Sequence, residues 1–175
     1  MILWINGAFG SGKTTVANRL SRRMPNSFVY DPENAGYFIR SNTNGLFADG
    51  DFQDIPLWRE INYKTLRMIA EKYDGTIIVP MTLVNPDYYS EIIGRLVADG
   101  VEVRHYILYA TRQEIIRRLR KRSFRFIMRN EDFALEAIDR CIYAFDNSIK
   151  DVKIFTDDMS VDSIVEKILK NLREP

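Results

Sequence analysis

The sequence predicts an α/β fold in which a parallel sheet is covered by helices on both faces. Apolar, β-rich runs alternate with helix-like segments along the chain, and the five runs are Ile2–Ile5, Phe28–Tyr30, Thr76–Leu83, Glu102–Tyr109 and Val152–Phe155. Strict alternation of strand and helix is typical of parallel strands joined by crossover helices. Ligands of such sheets collect at the carboxyl ends of the strands. The residues just past strand ends, Asp31, 80–85 and 156–158, are therefore the first candidates for a site.

The helical segments carry their own start signals and apolar faces. Residues 59–73 place apolar side chains at the spacing of one helix face. Asn85 followed by a proline predicts an N-cap with proline at N1, and the helix is expected to end near Gly100. Thr111 and a glutamate three residues later form a capping box. The last helix is predicted to begin near Ser160 and to pack one apolar stripe on the core.

Length and composition indicate a single domain covering residues 1–175. Hydrophobic residues make up 46% and charged residues 28% of the chain, as in ordinary globular proteins. The net charge of +1 gives no basic footprint for a nucleic-acid partner. Cys141 is the single cysteine, so an internal disulfide is excluded. We expect a cytoplasmic protein without leader or transmembrane segment. The composition is compatible with a monomer or a homodimer.

Residues 7–14 match the phosphate-binding loop pattern G-x-x-x-x-G-K-[ST] between the first strand and a helix. The loop and its first following residue, predicted to bind the phosphates of ATP, are Gly7, Ala8, Phe9, Gly10, Ser11, Gly12, Lys13, Thr14 and Thr15. Glycines let successive N–H groups point into one concavity, and the helix N-terminus adds positive charge. Lys13 can reach the β- and γ-phosphates, and the Thr14 hydroxyl can ligate Mg²⁺. The sequence therefore predicts the three-layer sandwich of a P-loop NTPase.

The carboxylates at the strand ends separate the subclasses of P-loop proteins. Motor ATPases and GTPases usually hold Mg²⁺ with an aspartate at the end of an apolar strand, but the third strand has none. The guanine-reading N-K-x-D pattern is also absent. The second strand instead ends at Asp31, which could accept the proton of an attacking hydroxyl or hold Mg²⁺ through water, with Glu33 as a weaker candidate. The alternative is that Asp31 merely opens a turn before Pro32.

A basic stretch follows the fourth strand, with Glu114 as its one acid between residues 112 and 129. Arg118 and Arg122 are four residues apart and share a helix face. Arginines are well suited to the negative charge that spreads over a transferring phosphoryl group. We interpret residues 118–137 as a lid over ATP in which Arg118 and Arg122 are catalytic and Arg118 also contacts the cofactor. Arg125 and Arg129 are weaker candidates, and a solvated basic helix face is the alternative.

Residues 32–59 resemble an irregular substrate-binding insertion, because Asn, Gly and Pro break regular structure while aromatic residues supply flat surfaces. A small satellite core is the alternative for any one aromatic. The polar residues predicted to contact the acceptor, besides Asp31 and Glu33, are Arg40, Asp51, Gln53, Arg59 and Thr82. Asn85 could face the same cleft or be only a helix cap. His105 inside a strand and Cys141 in a helical stretch are expected to be structural.

Seven blocks of the sequence resemble the bacterial tunicamycin-resistance ATP-binding proteins, over residues 1 to about 160. The blocks are Trp4–Thr14, Val29–Glu33, Asp51–Gln53 with Pro56–Arg59, Val79–Thr82, Glu91–Leu96, Arg118–Arg120 and Ile138–Cys141. That family is similar in fold to nucleoside monophosphate, shikimate and gluconate kinases, which implies a five-stranded sheet with a short helical lid. It also implies that Arg118 and Arg122 correspond to a lid arginine pair and Arg140 to an arginine after the lid. The segment from Lys121 to Leu135 departs from the family pattern.

The resemblance implies ATP and Mg²⁺ as cofactors and phosphoryl transfer to a small hydroxylated acceptor. A nucleoside-type antibiotic such as tunicamycin, or a nucleotide, is a candidate acceptor. A protein that binds ATP and sequesters a drug without transferring phosphate is the alternative from another class. A regulatory NTPase acting on a protein partner is a third, and the missing carboxylate on the third strand counts against it.

Overall fold

The computed structural model describes the backbone of residues 1–122 and 124–173, and the side chains of residues 1–121 and 135–173. In this part of the chain five strands form one sheet in which all pairs are parallel and the order is β2-β3-β1-β4-β5. The strands are β1 Ile2–Gly7, β2 Ser27–Val29, β3 Thr76–Pro80, β4 Val103–Tyr109 and β5 Val152–Phe155. The predicted α/β class with a five-stranded parallel sheet is confirmed.

Helices connect the strands and cover both faces of the sheet. They are α1 Lys13–Arg23, α2 Glu33–Asn42, α3 Pro56–Lys72, α4 Pro86–Tyr89, α5 Arg95–Ala98, α6 Arg112–Arg122, α7 Phe124–Asn147 and α8 Val161–Arg173. A 3-10 turn lies at Phe52–Asp54, and a π-helical turn at Ser90–Gly94 joins α4 to α5. No helix in the described ranges is long and apolar enough to cross a bilayer.

The core has two layers because alternate side chains of β1 point to opposite faces of the sheet. Leu3 and Ile5 pack with the apolar sides of α1 and α8. Ile2 and Trp4 pack on the other face with residues of α3 and of the 3-10 turn. Since both faces are covered, every residue of β1 is buried. This burial fixes the position of the loop that follows β1.

Strand β3 ends at Pro80 and not at Leu83, as the apolar run predicted. Near the predicted strand end at Leu83, the fully buried side chain of Asn6, at the end of β1, forms the hydrogen bonds that a neighbouring strand would have formed. Its Nδ2 donates to the Leu83 carbonyl at 2.7 Å, while its Oδ1 accepts from the Leu83 amide at 2.9 Å and from the Gly7 amide at 2.8 Å. The apolar run continues past the strand because Met81 and Leu83 are still buried. The Met81 amide donates to the Ile5 carbonyl at 3.2 Å, and the Asn6 side chain supplies the partners of the Leu83 backbone.

The predicted helix starts are found with one change. Asn85 accepts from the Asp87 amide ahead of Pro86, and the Ser160 hydroxyl accepts from the Ser163 amide. Thr111 accepts from the Glu114 amide, which is half of the predicted capping box. The Thr111 amide donates instead to the carboxylate of Asp157, because the Glu114 carboxylate is bound by arginines. The irregular character predicted for residues 32–59 holds only in part, since helix α2 lies within the segment.

The single histidine and the single cysteine are both buried, as their surroundings in the sequence predicted. His105 Nδ1 lies 2.7 Å from a carboxylate oxygen of Asp151, near the amino ends of the strands. Tyr89 donates to the same oxygen at 3.1 Å. Cys141 packs in a third apolar cluster that joins the base of α6 and α7 to Ala8 of the loop after β1. That cluster supports the candidate site from below.

Candidate active site

The loop at residues 7–14 has the backbone that phosphate binding requires. Gly10 and Gly12 have φ angles of 86° and 99°, in the left-handed region that residues with a Cβ avoid. Gly12 is the N-cap of α1, so the free amides of the first turn face the concavity. An added Cβ at Gly12 would meet no atom within 4 Å, whereas at Gly10 it would lie 2.8 Å from the Leu119 side chain. The loop is therefore open above Gly12 and closely packed against α6 at Gly10.

Lys13 and Thr14 stand where a triphosphate with Mg²⁺ would need them. Lys13 Nζ donates to the carbonyls of Gly7 at 3.0 Å and Ala8 at 3.1 Å, and so lies across the loop. Thr14 and Thr15 are exposed on the first turn of α1, which leaves the Thr14 hydroxyl accessible to a metal. Amide donors, an ammonium group and an exposed hydroxyl are the donor set that a Mg²⁺-triphosphate complex uses. These residues fit the predicted cofactors.

Arg118 joins the loop to the end of β5. Its Nη1 donates to the Ser11 carbonyl and to Thr156 Oγ1, both at 3.1 Å, and its Nη2 donates to the Thr156 carbonyl at 2.6 Å. Its Nε donates to Glu114 at 2.7 Å. In the described state the guanidinium is therefore held by protein atoms and does not project freely. The sequence predicted a lid arginine, and the structure places it at the wall between the phosphate loop and β5.

A cleft of about 380 Å³ lies between the start of α1, helix α6 and the loop before α8. Ser11, Gly12 and Thr15 line one wall, and Arg117 and Arg118 line another. The residues that close it from the loop and helix after β5 are Asp158, Met159, Ser160, Val161 and Ile164. The cleft therefore opens beside the phosphate loop.

Glu114 fixes the two arginines at the edge of this cleft. Its carboxylate accepts from Arg117 at 2.6 Å and from Arg118 at 2.7 Å. These hydrogen bonds, with Arg117 the stronger contributor, lower the pKa of Glu114 from 4.5 to about 2. The glutamate therefore stays ionised at every pH at which the protein is expected to work.

Asp31 is exposed directly after β2, at the carboxyl edge of the sheet. Its Oδ1 accepts from the Glu33 amide at 3.0 Å, so the turn that the sequence suggested does form. No hydrogen bond to its Oδ2 occurs among the described residues. Glu33 is also exposed and accepts from the Tyr37 hydroxyl at 3.1 Å. Asp31 thus forms the turn and keeps one carboxylate oxygen available for a ligand.

The other residues predicted to contact the acceptor have partners inside the protein. Arg40 donates to the carbonyls of Phe47 and Gly50, and Gln53 contacts Asp51, whose side chain caps the 3-10 turn. Arg59 is buried and pairs with a glutamate. Their contact with an acceptor stays a prediction.

Thr82, which the sequence predicts to contact the acceptor, bonds to the phosphate loop. Its hydroxyl donates to the Gly7 carbonyl at 2.8 Å, which is the same carbonyl that accepts from Lys13. Asn85 is the N-cap of α4, which favours the interpretation that it is only a helix cap over the interpretation that it faces the cleft. Arg140 is exposed on α7. Arg122, Arg125 and Arg129 lie outside the residues whose side chains the structure describes.

Two residues that hold the site together were given no role on the sequence. Asn6 orients both the phosphate loop and residues 81–83. The sequence feature that could have revealed the role of Asn6 is a polar residue in an otherwise apolar strand, at a position that must be buried and therefore hydrogen-bonded. Thr156, fully buried after β5, binds Arg118 and donates to the Tyr109 carbonyl. Its position just past a strand end made it a candidate for the site, but the sequence does not reveal its partner, Arg118, which lies 38 residues away.

Comparison with known proteins agrees with this architecture. A search of curated proteins gave no match. The structure is similar to that of the tunicamycin resistance protein of Deinococcus radiodurans, at 26% identity and a TM-score of 0.80, covering 98% of this chain and 95% of that one. This similarity confirms the resemblance seen in the sequence blocks.

Two kinases share the fold at lower identity. A gluconokinase from Sinorhizobium meliloti matches at 15% identity and a TM-score of 0.67, covering 97% of this chain and 90% of that one. A shikimate kinase from Aquifex aeolicus matches at 18% identity and a TM-score of 0.63, covering 98% of this chain and 96% of that one. Residues 2–147 match the family described as AAA domain, whose P-loop implies nucleotide binding. The chain belongs to the AAA domain family of P-loop proteins.

Proposed function

We propose that this protein transfers the γ-phosphoryl group of ATP to a hydroxyl of a small acceptor. The observation that carries the proposal is the placement of Asp31, which offers an accessible carboxylate oxygen just after β2, at the same edge of the sheet where β1 leads into the phosphate loop. The Thr82 hydroxyl after β3 bonds to that loop. The fold is shared with a gluconokinase and a shikimate kinase, which supports the reaction class.

The loop amides and Lys13 would bind the β- and γ-phosphates and orient the γ-phosphorus toward the acceptor. Thr14 would hold Mg²⁺, which neutralises phosphate charge when bound. Asp31 would accept the proton of the acceptor hydroxyl as its oxygen bonds to the γ-phosphorus and the bond to the bridging oxygen of ADP breaks. The adenosine would lie in the cleft lined by Arg117, Arg118 and the residues after β5. Arg122 stays a candidate for charge stabilisation from the lid.

The test is incubation with Mg-ATP and single acceptors, followed by mass spectrometry for a gain of one phosphate. We expect Asp31→Asn to bind ATP normally and to lose transfer by about a hundredfold or more, the usual contribution of a general base. Asp49→Asn is the matched control, because it removes the same charge from an exposed position of residues 32–59, the predicted substrate-binding insertion. Near-normal transfer by Asp31→Asn would contradict its role as base. ATP binding without any phosphorylated product would favour sequestration of the ligand.

A further inference from the structure

We propose that the acceptor carries no phosphate or carboxylate group and is a neutral or cationic hydroxylated compound, such as an amino sugar, a neutral sugar or an unphosphorylated nucleoside. The inference rests on the proposed function, because it concerns the acceptor side of that site. It follows from the state of each charged side chain in residues 31–59, all of which the structure describes.

The segment holds two basic residues, and the first is used to shape the segment itself. Arg40 Nε donates to the Phe47 carbonyl at 2.9 Å, and its Nη2 donates to the Gly50 carbonyl at 2.7 Å. Its guanidinium carbon lies 4.0 Å from the centre of the Phe52 ring. These contacts hold the chain from 43 to 50 against helix α2, so turning Arg40 toward an anion would release that loop.

The second basic residue is neutralised by a carboxylate. Arg59 is 8% exposed, and its Nε donates to Glu91 at 2.6 Å. Another nitrogen donates to the Gln53 carbonyl, and the guanidinium carbon lies 4.2 Å from the centre of the Tyr88 ring. An anionic acceptor would have to compete with Glu91 for a guanidinium that is enclosed by protein.

The acids of the segment are exposed, in contrast to its arginines. They are Asp31, Glu33, Asp49, Asp51 and Asp54. With five acids and two bases the segment has a formal charge of −3, while the whole chain has +1. Like charge at a cleft repels an anionic ligand and attracts a cationic one, so the field of these carboxylates discriminates against phosphates and sugar acids.

The segment packs against the chain just after β3 and also offers uncharged contact surface. Phe52 and its neighbours pack in the same core cluster as Met81, next to the residue that bonds to Gly7. Tyr37 and Phe38 on α2 are 56% and 63% exposed. Aromatic faces of this kind bind the apolar faces of sugars and nucleobases without requiring charge.

The experiment uses acceptors that differ in charge on a shared scaffold. Glucose and glucosamine are compared with glucuronate, and uridine is compared with uridine monophosphate, each with Mg-ATP and mass detection of the product. We expect turnover with neutral or amino-bearing members and kcat/KM at least about tenfold lower with the anionic members. Preferred turnover of glucuronate or of the nucleotide would overturn the inference and leave the kinase proposal intact.

A charge-reversed variant tests the cause. Glu33→Lys combined with Asp49→Lys should shift the ratio of kcat/KM toward anionic acceptors by about tenfold at low salt, and less at high salt. Glu71→Lys combined with Glu102→Lys changes net charge equally at positions outside the segment and should leave the ratio unchanged. An equal shift in both variants, or none in either, would overturn the electrostatic explanation.

Failure of the proposed function would give a different pattern. If no acceptor is phosphorylated, calorimetry of the same compounds with a non-hydrolysable ATP analogue decides the charge class. Binding of only neutral or cationic compounds would reject phosphoryl transfer and support the inference. Binding of the anionic members would reject the inference, and binding of none would reject both.

Discussion

The cleft beside the phosphate loop and residues 31–59, here called the acceptor segment after their proposed role, use arginine in different ways. Arg118 bonds to the carbonyl of Ser11, which lines the cleft, and to Thr156, which is buried just after β5, so its position is fixed at the wall of the cleft. Arg40 and Arg59 bond to carbonyls and a carboxylate that belong to the scaffold of the acceptor segment. The number of arginines near a site therefore does not predict an anion-binding surface. Whether a guanidinium can bind an anionic ligand depends on the protein groups to which it is already bonded.

The largest effect is expected on the nucleotide side, from Lys13→Ala. The loss of one positive charge at the transferring group should cost about 4 kcal/mol, or roughly a thousandfold in kcat/KM, and abolish measurable turnover. Initial rates of ADP formation with a working acceptor give the measurement. Lys64→Ala, on the exposed face of α3 where it pairs with Glu60, is the control and should retain wild-type rates. Turnover above a tenth of wild type in Lys13→Ala would disprove the predicted contact.

Asn6→Ala should disturb both regions together, because Asn6 bonds to the phosphate loop and to residues 81–83. The substitution leaves the amide and carbonyl of Leu83 and the amide of Gly7 without this partner in a buried place. We expect a loss of about 3 kcal/mol in the free energy of unfolding, measured by urea titration. Asn85→Ala removes only a helix cap and should cost about 1 kcal/mol. Equal losses would show that Asn6 does no more than a surface cap.

Arg118→Ala separates the two regions, since it should weaken ATP binding and leave the preference among acceptors unchanged. Loss of the contacts to Ser11 and Thr156 is expected to raise the Kd for ATP by about thirtyfold, or about 2 kcal/mol. Equilibrium titration with a fluorescent ATP analogue measures it. Arg112→Ala is the control: it removes an arginine of the same helix that does not line the cleft, is 47% exposed and pairs with Asp139, so the Kd should change by less than about threefold.

Glu114→Gln should give the smallest effect and one that depends on pH. The pKa of Glu114 is lowered from 4.5 to about 2 in the folded protein, so its stabilising contribution is complete above pH 4.5 and is lost as the pH falls toward 2. We expect the variant to unfold at lower temperature than wild type at pH 7, by the equivalent of about 1 kcal/mol. Melting curves between pH 7 and 2.5 should converge at the acid end. A constant difference over that range would disprove the ion-pair explanation.

The parts of the fold that depend on local sequence were predictable. Residues 7–14 form the phosphate loop because every requirement lies within eight consecutive residues, and alternation of strands and helices gave the parallel sheet. The end of β3 was predicted three residues too late, because the competing bonds come from Asn6, 77 residues away. The contact of Arg118 with the cofactor stays a prediction, and its bond to Ser11 could not be predicted because it spans 107 residues, a separation that no spacing rule covers.

The acceptor segment was the least predictable region for the same physical reason. Its polar residues looked available for a ligand, yet Arg40 is held by two backbone carbonyls whose directions depend on the turn at 43–50. Arg59 pairs with Glu91, which lies on a π-helical turn that the spacing of apolar residues does not reveal. The sequence identifies these side chains as hydrogen-bond donors, but only the folded chain shows which carbonyl and carboxylate oxygens they already bind.

The position of Lys13 across its own loop makes nucleotide binding an exchange of partners. Its ammonium group donates to the carbonyls of Gly7 and Ala8, and it must give up part of these hydrogen bonds to reach a phosphate. The affinity measured for ATP is then the difference between two sets of bonds, and the alanine variant loses both sets at once. Its affinity deficit will therefore understate how strongly the lysine holds the phosphate in the complex.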